Sequence, residues 1–441
     1  MTERSLRHRS WSRRILSEVL LRWGARLGLA WIGFLTLVAI WAPFLANSRP
    51  LLIQDAAGWH SPLLQHLTPA DTTLLGIFFL ALLFLWLPGR TGYRFLAWAG
   101  AALVVAWLSW SLVAPPVLVV HEHYREAERQ GQFLRVIHAP IPYSAKDYLR
   151  DHADTGFEIP GVHGERRHWF GTDENGADVL ARMIHATRIA LSIGFIATGI
   201  ALVIGVLLGG LMGYFSGIVD LIGMRLVEIF EAIPTLFLLL TFVAFFGRSL
   251  YLMMLIIGLT SWSGYARYVR AEFLRLRQQD FVQGAIASGL RLPSILFRHM
   301  LPNGMAPILV AASFGVASAI LAEATLSFLG LGLIDDPSWG QMLNQAVQSS
   351  TFHWWMAVFP GGAIFLTVFA YNLIGEALRD AIDPHVQAEP RITNTDDPTN
   401  PTNPANPANP SHAAGASRPV GSGSGSGTAT VATGTTARTG Y

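Results

Sequence analysis

Long apolar runs broken by short polar stretches set the pattern of this chain. The first run covers residues 27–45 and follows a polar segment, 1–26, that carries Arg4, Arg7, Arg9, Arg13, Arg14, Arg22 and Arg26. Two more runs, 74–87 and 95–120, lie close together, with Arg90 and Arg94 in the turn between them. A helix needs about 20 apolar residues to cross a bilayer, so the shorter of the two must recruit Thr72 and Thr73 or thin the membrane locally. After the polar stretch 121–169, residues 173–186 place Val179, Leu180, Met183 and Ile184 on one side and Asp178 and Arg182 on the other. That pattern predicts an amphipathic helix lying at the outer interface. Further apolar runs then follow, over 187–217, over 220–246 with a kink expected at Pro234, and over 252–266, 305–333 and 355–374. The periodicity therefore predicts an all-α membrane protein of about eight spans.

Within this frame, small residues recur at strict four-residue spacing, at Ala197, Ala201, Gly205, Gly209, Gly213 and Gly217. Such a ridge lets a second helix approach to backbone contact. Farther on, Arg225 and Glu228 are spaced to pair on one helix face, whereas Glu231 has no partner nearby in sequence. Glu323 stands amid alanine, leucine and serine in an apolar run. A carboxylate at that depth faces protein or water rather than lipid, and either a structural hydrogen bond or a place on the translocation path would account for it.

Composition narrows the function. The chain of 441 residues is 51% hydrophobic and 14% charged, which sets it apart from soluble domains. With no cysteine, disulfides, thiolate metal sites and thiol nucleophiles are excluded. The only lysine, Lys146, follows Ser144 and Ala145, so the Gly-Lys pair of a phosphate-binding loop is absent and any ATP energy must come from another subunit. Arginine marks the segments assigned to the cytoplasm: 1–26, the 90–94 turn and the stretch 267–303. Residues 1–26 read as a cytoplasmic N-terminus, and 27–45 as an uncleaved span, being long for a signal core and lacking a small-x-small cleavage site. Histidine instead gathers in 121–169, at His121, His123, His138, His152, His163 and His168, where a metal site competes with ordinary solvated histidine. Residues 385–441 combine Asn-Pro-Ala repeats with Gly-Ser alternation and read as a disordered cytoplasmic tail.

The stretch 267–303 carries Arg267, Arg270, Arg275, Arg277, Arg291 and Arg298 against Glu272 and Asp280. Its internal pattern predicts two short helices. Asp280 is placed to cap the first, from Phe281 to Ser288, with Phe281, Ala285 and Ser288 on one face and Gly289 just past its end. Leu292 and Pro293 would start the second, and Leu301 and Pro302 would stop it.

This stretch resembles the EAA loop of the membrane subunit of an ABC importer. Gln283, Gly284 and Ala285 stand where that family has Glu-Ala-Ala, Gly289 is its glycine, and Leu301 and Pro302 are its closing pair. The flanking FRHMLPN, together with GTDENGADVLARMI from Gly171, AILAEATLSFLGLG from Ala319 and GEALRDAIDP from Gly375, is similar to the C-type permease subunits of oligopeptide and dipeptide importers. APIPYSAKDYL from Ala139 is likewise similar to their outside loop, and DDPSWGQML to a segment near the binding protein. Together the likeness covers 141–384. Two departures stand out: Gln283 removes the family's carboxylate, and Gly284 weakens the helix by roughly 1 kcal/mol relative to alanine.

The resemblance implies a six-helix permease core over 187–384 with the ATPase-coupling loop at 267–303 and an external loop and interfacial helix over 121–186, and it leaves the transmembrane hairpin over 72–120 as an extra outside the family pattern. It implies a permease subunit of an ATP-driven, binding-protein-dependent peptide importer in the bacterial inner membrane, with both termini cytoplasmic. Its implied partners are a homologous B-type permease, two ATP-binding cassette ATPase subunits and an extracytoplasmic peptide-binding protein, with no cofactor and no nucleic acid. The same architecture serves importers of nickel and of peptide-like antibiotics, and an intramembrane enzyme using Glu323 or the histidines is the reading from another class.

Overall fold

Two helices, α7 (Val179–Phe215) and α10 (Leu250–Arg277), form the most extensive packing in the protein. The structure is a computed structural model that describes residues 11–55, 58–86, 91–114, 123–148, 159–160, 167–333, 336–349 and 351–382. Of the sequence expectations, the turn carrying Arg90, the histidines His121, His152 and His163, and the tail 385–441 lie outside the described residues.

The small-residue ridge explains the closeness of α7 and α10. A Cβ added at Gly205 would fall 2.4 Å from Tyr265 Cβ, one at Gly209 2.4 Å from the Ala266 carbonyl oxygen, and one at Gly213 2.6 Å from Phe273 Cβ. Ala197 and Ala201 continue the buried stripe, and Gly258 of α10 reciprocates against Ile200 and the Ala197 carbonyl. Gly217 does not belong to the ridge. It begins α8 (Gly217–Ala232) with φ +58° and has nothing within 4 Å of a Cβ, so the four-residue spacing runs past the end of the helix that it describes.

α7 is one continuous helix, which corrects the interfacial helix expected over 173–186. Asp178 caps it by accepting from the Ala181 N–H at 2.7 Å. Asp178 and Arg182, expected on a polar outer side, are both buried: Asp178 bonds His168 Nδ1 at 2.8 Å, and Arg182 pairs with Asp173. A polar stripe can face protein as well as water when each charge finds a partner.

Around this pair stand α2 (Trp23–Leu45), α12 (Leu301–Leu326) and α14 (Trp354–Ile382), joined in one apolar core that includes Leu35, Ala190, Ile320, Trp339, Ile364 and Tyr371. α8 and α9 (Thr235–Phe246) meet at a 79° bend beside Pro234, a sharper break than a kink, because Ile233 is extended ahead of the proline. Among the described residues five helical stretches are long and apolar enough to cross a membrane, or six if the bent pair is one span. The eight expected spans add α4 (Pro69–Trp86), whose apolar part is short, and α10, whose Thr260, Ser261, Ser263 and Arg267 lower its hydropathy, Thr260 and Ser263 being buried. The Arg225–Glu228 pair forms as expected, and Glu231 finds Arg267 across on α10.

α4 and α5 (Thr91–Leu112) pack as a hairpin, with Val105 filling the notch left by Gly76. Trp41, near the end of α2, meets Phe78 and Phe79 at ring distances of 6.2 and 6.3 Å. Asp71, in the first turn of α4, pairs with Arg188 of α7, which also donates to the Ala39 carbonyl at 2.5 Å. α4 therefore starts beside the C-terminal part of α2 and still touches it at Phe78 and Phe79.

The polar segments between these helices contain one departure from the all-α expectation. Strands β1 (Leu52–Asp55), β2 (Gly58–His60) and β3 (Arg135–Ile137) form a small antiparallel sheet in the order β2-β1-β3. Strands of three or four residues are too short for alternation to show in a sequence. Ser48 and Arg125 both bond the buried Asp147 and hold these polar segments together.

The ridge yields a stability prediction. Gly209→Val places a side chain where the Ala266 carbonyl already lies and should cost about 1–3 kcal/mol or more, whereas Gly199→Ala, with nothing within 4 Å, should be neutral or gain up to about 1 kcal/mol. Thermal unfolding of the detergent-solubilised protein checks this, and equal melting temperatures for the two variants would refute it.

Candidate coupling site

The loop begins where α10 ends. Arg270 grips Asp220 of α8 with two nitrogens, one at 2.6 Å, and Arg277 donates to Ser216 Oγ at 2.7 Å while lying 5.8 Å from the Tyr214 ring centre. Phe273 packs over Gly210 and Gly213. The cytoplasm-assigned end of α10 is thereby fixed to the α7–α8 corner by charge, hydrogen bond and apolar contact together.

α11 (Asp280–Ala287) follows. Its N-cap is Gln279, with extended backbone and no side-chain cap bond, so Asp280 does not cap the helix as expected but occupies its first turn. There its carboxylate still meets the positive end of the helix dipole. The helix closes in a Schellman arrangement: the Gly289 N–H bonds the Ile286 carbonyl at 3.0 Å and the Leu290 N–H the Ala285 carbonyl at 3.2 Å. Gly289 has φ +68°, the left-handed conformation that glycine adopts without strain.

Val282 and Ala285 are the buried side of α11, packed with Leu276, Ile295, Leu296 and Met300. Phe281 and Ser288 are exposed, so the face expected to group them with Ala285 is divided. Gly284 is also exposed and has open space around it. Gln283 turns back, its amide donating to the Arg277 carbonyl at 2.8 Å, where it caps the end of α10. A glutamate here could not make this bond, because an ionised carboxylate has no hydrogen to give.

Beyond Arg291 the chain turns helical at Leu292 and Pro293, passes through a π-helical turn, Ser294–Met300, and continues directly into α12. Leu301 and Pro302 do not stop it. They form the first turn of α12, where proline is tolerated, and the Leu301 N–H reaches back to the Leu296 carbonyl in the wider π spacing.

Glu323 lies elsewhere, near the far end of α12, and is 2% exposed. Ser327 donates to it at 2.6 Å, and Ser338, the N-cap of α13 (Trp339–Gln348), is a second partner. Gly340 beside it packs so tightly that a Cβ would meet the Ala324 carbonyl oxygen at 2.2 Å. The carboxylate ties α12, the π-helical turn Ser327–Leu331 and α13 together.

Sequence reasoning missed an uncharged cavity of about 270 Å3 between α7, α10 and α12, lined by Thr198, Ser261, Tyr265, Tyr268, Phe314 and Ser318 among small residues. The Tyr265 hydroxyl occupies the notch of Gly315, where a Cβ would fall 1.5 Å away. Hydroxyls scattered on three helices leave no local signature. Of the histidines in 121–169, His138 pairs with Glu128 at 3.0 Å and His168 with Asp178, so these two do not converge.

Residues 205–388, which contain the whole loop, match the family of binding-protein-dependent transport system inner membrane components. The dipeptide transport system permease protein DppC of Alkalihalophilus pseudofirmus is 39% identical over 256 residues, covering 58% of this chain and 83% of that protein. The chain belongs to this permease family. The oligopeptide transport system permease protein OppC of Bacillus subtilis is 35% identical over 256 residues, covering 58% of this chain and 82% of that protein. OppC of Escherichia coli is 39% identical over 252 residues, covering 57% and 82%. Among solved structures, an inward-facing form of the MetNI methionine ABC transporter aligns with TM-score 0.39 and 17% identity over 46% of this chain and 96% of that one. As a member of this family the chain is a multi-pass membrane transport subunit and not an enzyme, which removes the intramembrane-enzyme reading.

The geometry of the permease loop predicts opposite outcomes at adjacent positions. Gln283→Glu loses the bond to Arg277 and sets an anion at the negative end of α10, and should cost about 1 kcal/mol. Gly284→Ala should be neutral or gain up to about 1 kcal/mol. Hydrogen exchange over 277–290 reads both, and faster exchange in Gly284→Ala than in Gln283→Glu would contradict them.

Proposed function

We propose that this permease is one half of the membrane channel of an ATP-driven importer of peptides, working with a homologous B-type permease, two ATP-binding cassette ATPase subunits and an extracytoplasmic peptide-binding protein. Relatives named as dipeptide and oligopeptide permeases support the cargo class. The uncharged cavity agrees with it, since hydroxyls and small residues tolerate many side chains where a charged site would select among them. Nickel is less well supported, as His138 and His168 are each engaged with a carboxylate.

The observation that carries the mechanism is the two-part loop closed at Gly289. α11 presents Phe281, Gly284 and Ile286 outward from a base fixed to α7, α8 and α10. A load applied to α11 by an ATPase would pass through Val282 and Ala285 into the end of α10. Through the glycine ridge it would then reach α7 and the cavity wall, as rigid-body motion of packed helices.

In a reconstituted transporter, Gly289→Val is expected to assemble but to lose most peptide uptake and most stimulation of ATP hydrolysis by loaded binding protein. The cause is backbone strain of about 1–3 kcal/mol, since no atom lies within 4 Å to be displaced. Gly289→Asn, which tolerates the left-handed conformation, should retain much of both. Full stimulated hydrolysis and uptake in Gly289→Val would end the claim that this loop couples the ATPase to transport.

Both termini and the turn expected at Arg90 and Arg94 belong to the cytoplasmic side in this reading, and 121–169 to the outer side. The start of α4 beside the C-terminal part of α2 and the arginines Arg90 and Arg94 support it. Because the chain has no cysteine, Arg90→Cys and His138→Cys can each be probed in intact cells with an impermeant thiol reagent. Labelling at His138 alone is the expected result, and labelling at both positions would overturn the hairpin topology.

A further inference from the structure

The segment before the first span is not simply a basic tail. α1 (Trp11–Leu21) is separated from α2 by Arg22 alone, whose extended backbone (φ −82°, ψ 127°) turns α1 away from the line of α2. Ile15 and Val19 pack with Ala25 against Ala377, Leu378 and Ala381 in the last turns of α14, and Arg22 pairs with Asp380. α1 thus lies across the ends of α2 and α14.

With that side occupied, the rest of the helix and its junction expose Leu16 at 57%, Leu20 at 43%, Leu21 at 72% and Trp23 at 72%. The same short segment carries Arg4, Arg7, Arg9, Arg13 and Arg14 against Glu3 and Glu18. Exposed leucine and tryptophan, an excess of arginine, and direct continuity with a span are the chemistry of a helix that lies in the headgroup region, and its electrostatic complement is an anionic lipid. We propose that α1 is a binding surface for anionic lipid, lying in the plane of the headgroups and holding the end of α14 there through Val19 and Arg22.

The cysteine-free chain makes the test direct. Leu16→Cys carries an environment-sensitive fluorophore in the full-length protein, reconstituted into vesicles of phosphatidylcholine alone or of phosphatidylcholine with phosphatidylglycerol. Leu37→Cys, exposed in the middle of α2, carries the same label and verifies insertion in every sample. The expected result is a blue-shifted Leu16 label, quenched by headgroup-level spin-labelled lipid in the phosphatidylglycerol vesicles. Most of that shift should be lost in phosphatidylcholine alone and in the Arg13→Gln/Arg14→Gln variant, with the Leu37 label unchanged. Equal quenching of the Leu16 label by aqueous iodide in both vesicles would overturn the proposal. Lipid quenching indifferent to phosphatidylglycerol and to the arginines would overturn its anionic character, and protection from iodide only when partner subunits are added would assign the surface to protein instead.

Discussion

The backbone contact between α7 and α10 is the constraint on which the rest of this permease depends. In a bilayer the lipid tails are as apolar as leucine, so helices gain little from hiding apolar surface against each other and rely on close packing. Gly205, Gly209 and Gly213 remove the side chains that would hold the two helices apart. That proximity fixes the height and rotation of α10, which in turn seats the Tyr265 hydroxyl at Gly315 of α12 and delivers Arg270 and Arg277 to Asp220 and Ser216. The cavity and the loop, at different levels of the same helix, are set by one interface.

Ionisable groups follow a complementary rule. Arg182, Arg188, Asp71, Asp173 and Asp178 are all largely buried around the N-terminal half of α7, and each meets an opposite charge or a histidine. Removing one partner of such a pair leaves a buried charge uncompensated, a cost of about 3–5 kcal/mol, so the pairs fix position even where their net contribution to stability is small. The Asp71–Arg188 pair is notable because it joins the hairpin, a segment ahead of the family match, to a helix of the permease core. Glu323 follows the same rule with hydroxyls instead of cations.

Much of this was legible in the sequence because it is local. Apolar length marked most of the long helices, four-residue spacing marked the ridge, and Gly289 marked a helix end. What was not legible depended on partners distant in sequence or on where a helix stops. Glu231 meets Arg267 only because α8 lies beside α10. Gly217 shares the spacing of the ridge, but Ser216 and Gly217 both have positive φ and end the helix before the pattern does. Asp280 was the better capping residue by type, yet the chain leaves α10 so that Gln279 takes the extended position. Leu301-Pro302 reads as a stop from proline's missing donor. A first-turn position preceded by a π-helical turn satisfies the same restriction without a break.

Gln283 shows how a departure from a family pattern can be read physically. The family's carboxylate would be an acceptor carrying charge, available to a cation on a partner. Here the amide points inward and donates to the Arg277 carbonyl, closing the end of α10. The junction between α10 and α11 is then held by the chain's own hydrogen bond, together with Val282 and Ala285 beneath it. The side chains left outward on this part of the loop mix apolar Phe281, Ile286, Leu290 and Phe297 with charged Asp280, Arg291 and Arg298. A partner seated there would meet apolar area and charge together, so rising salt would screen the part of the proposed contact made by Asp280, Arg291 and Arg298 and leave the apolar part.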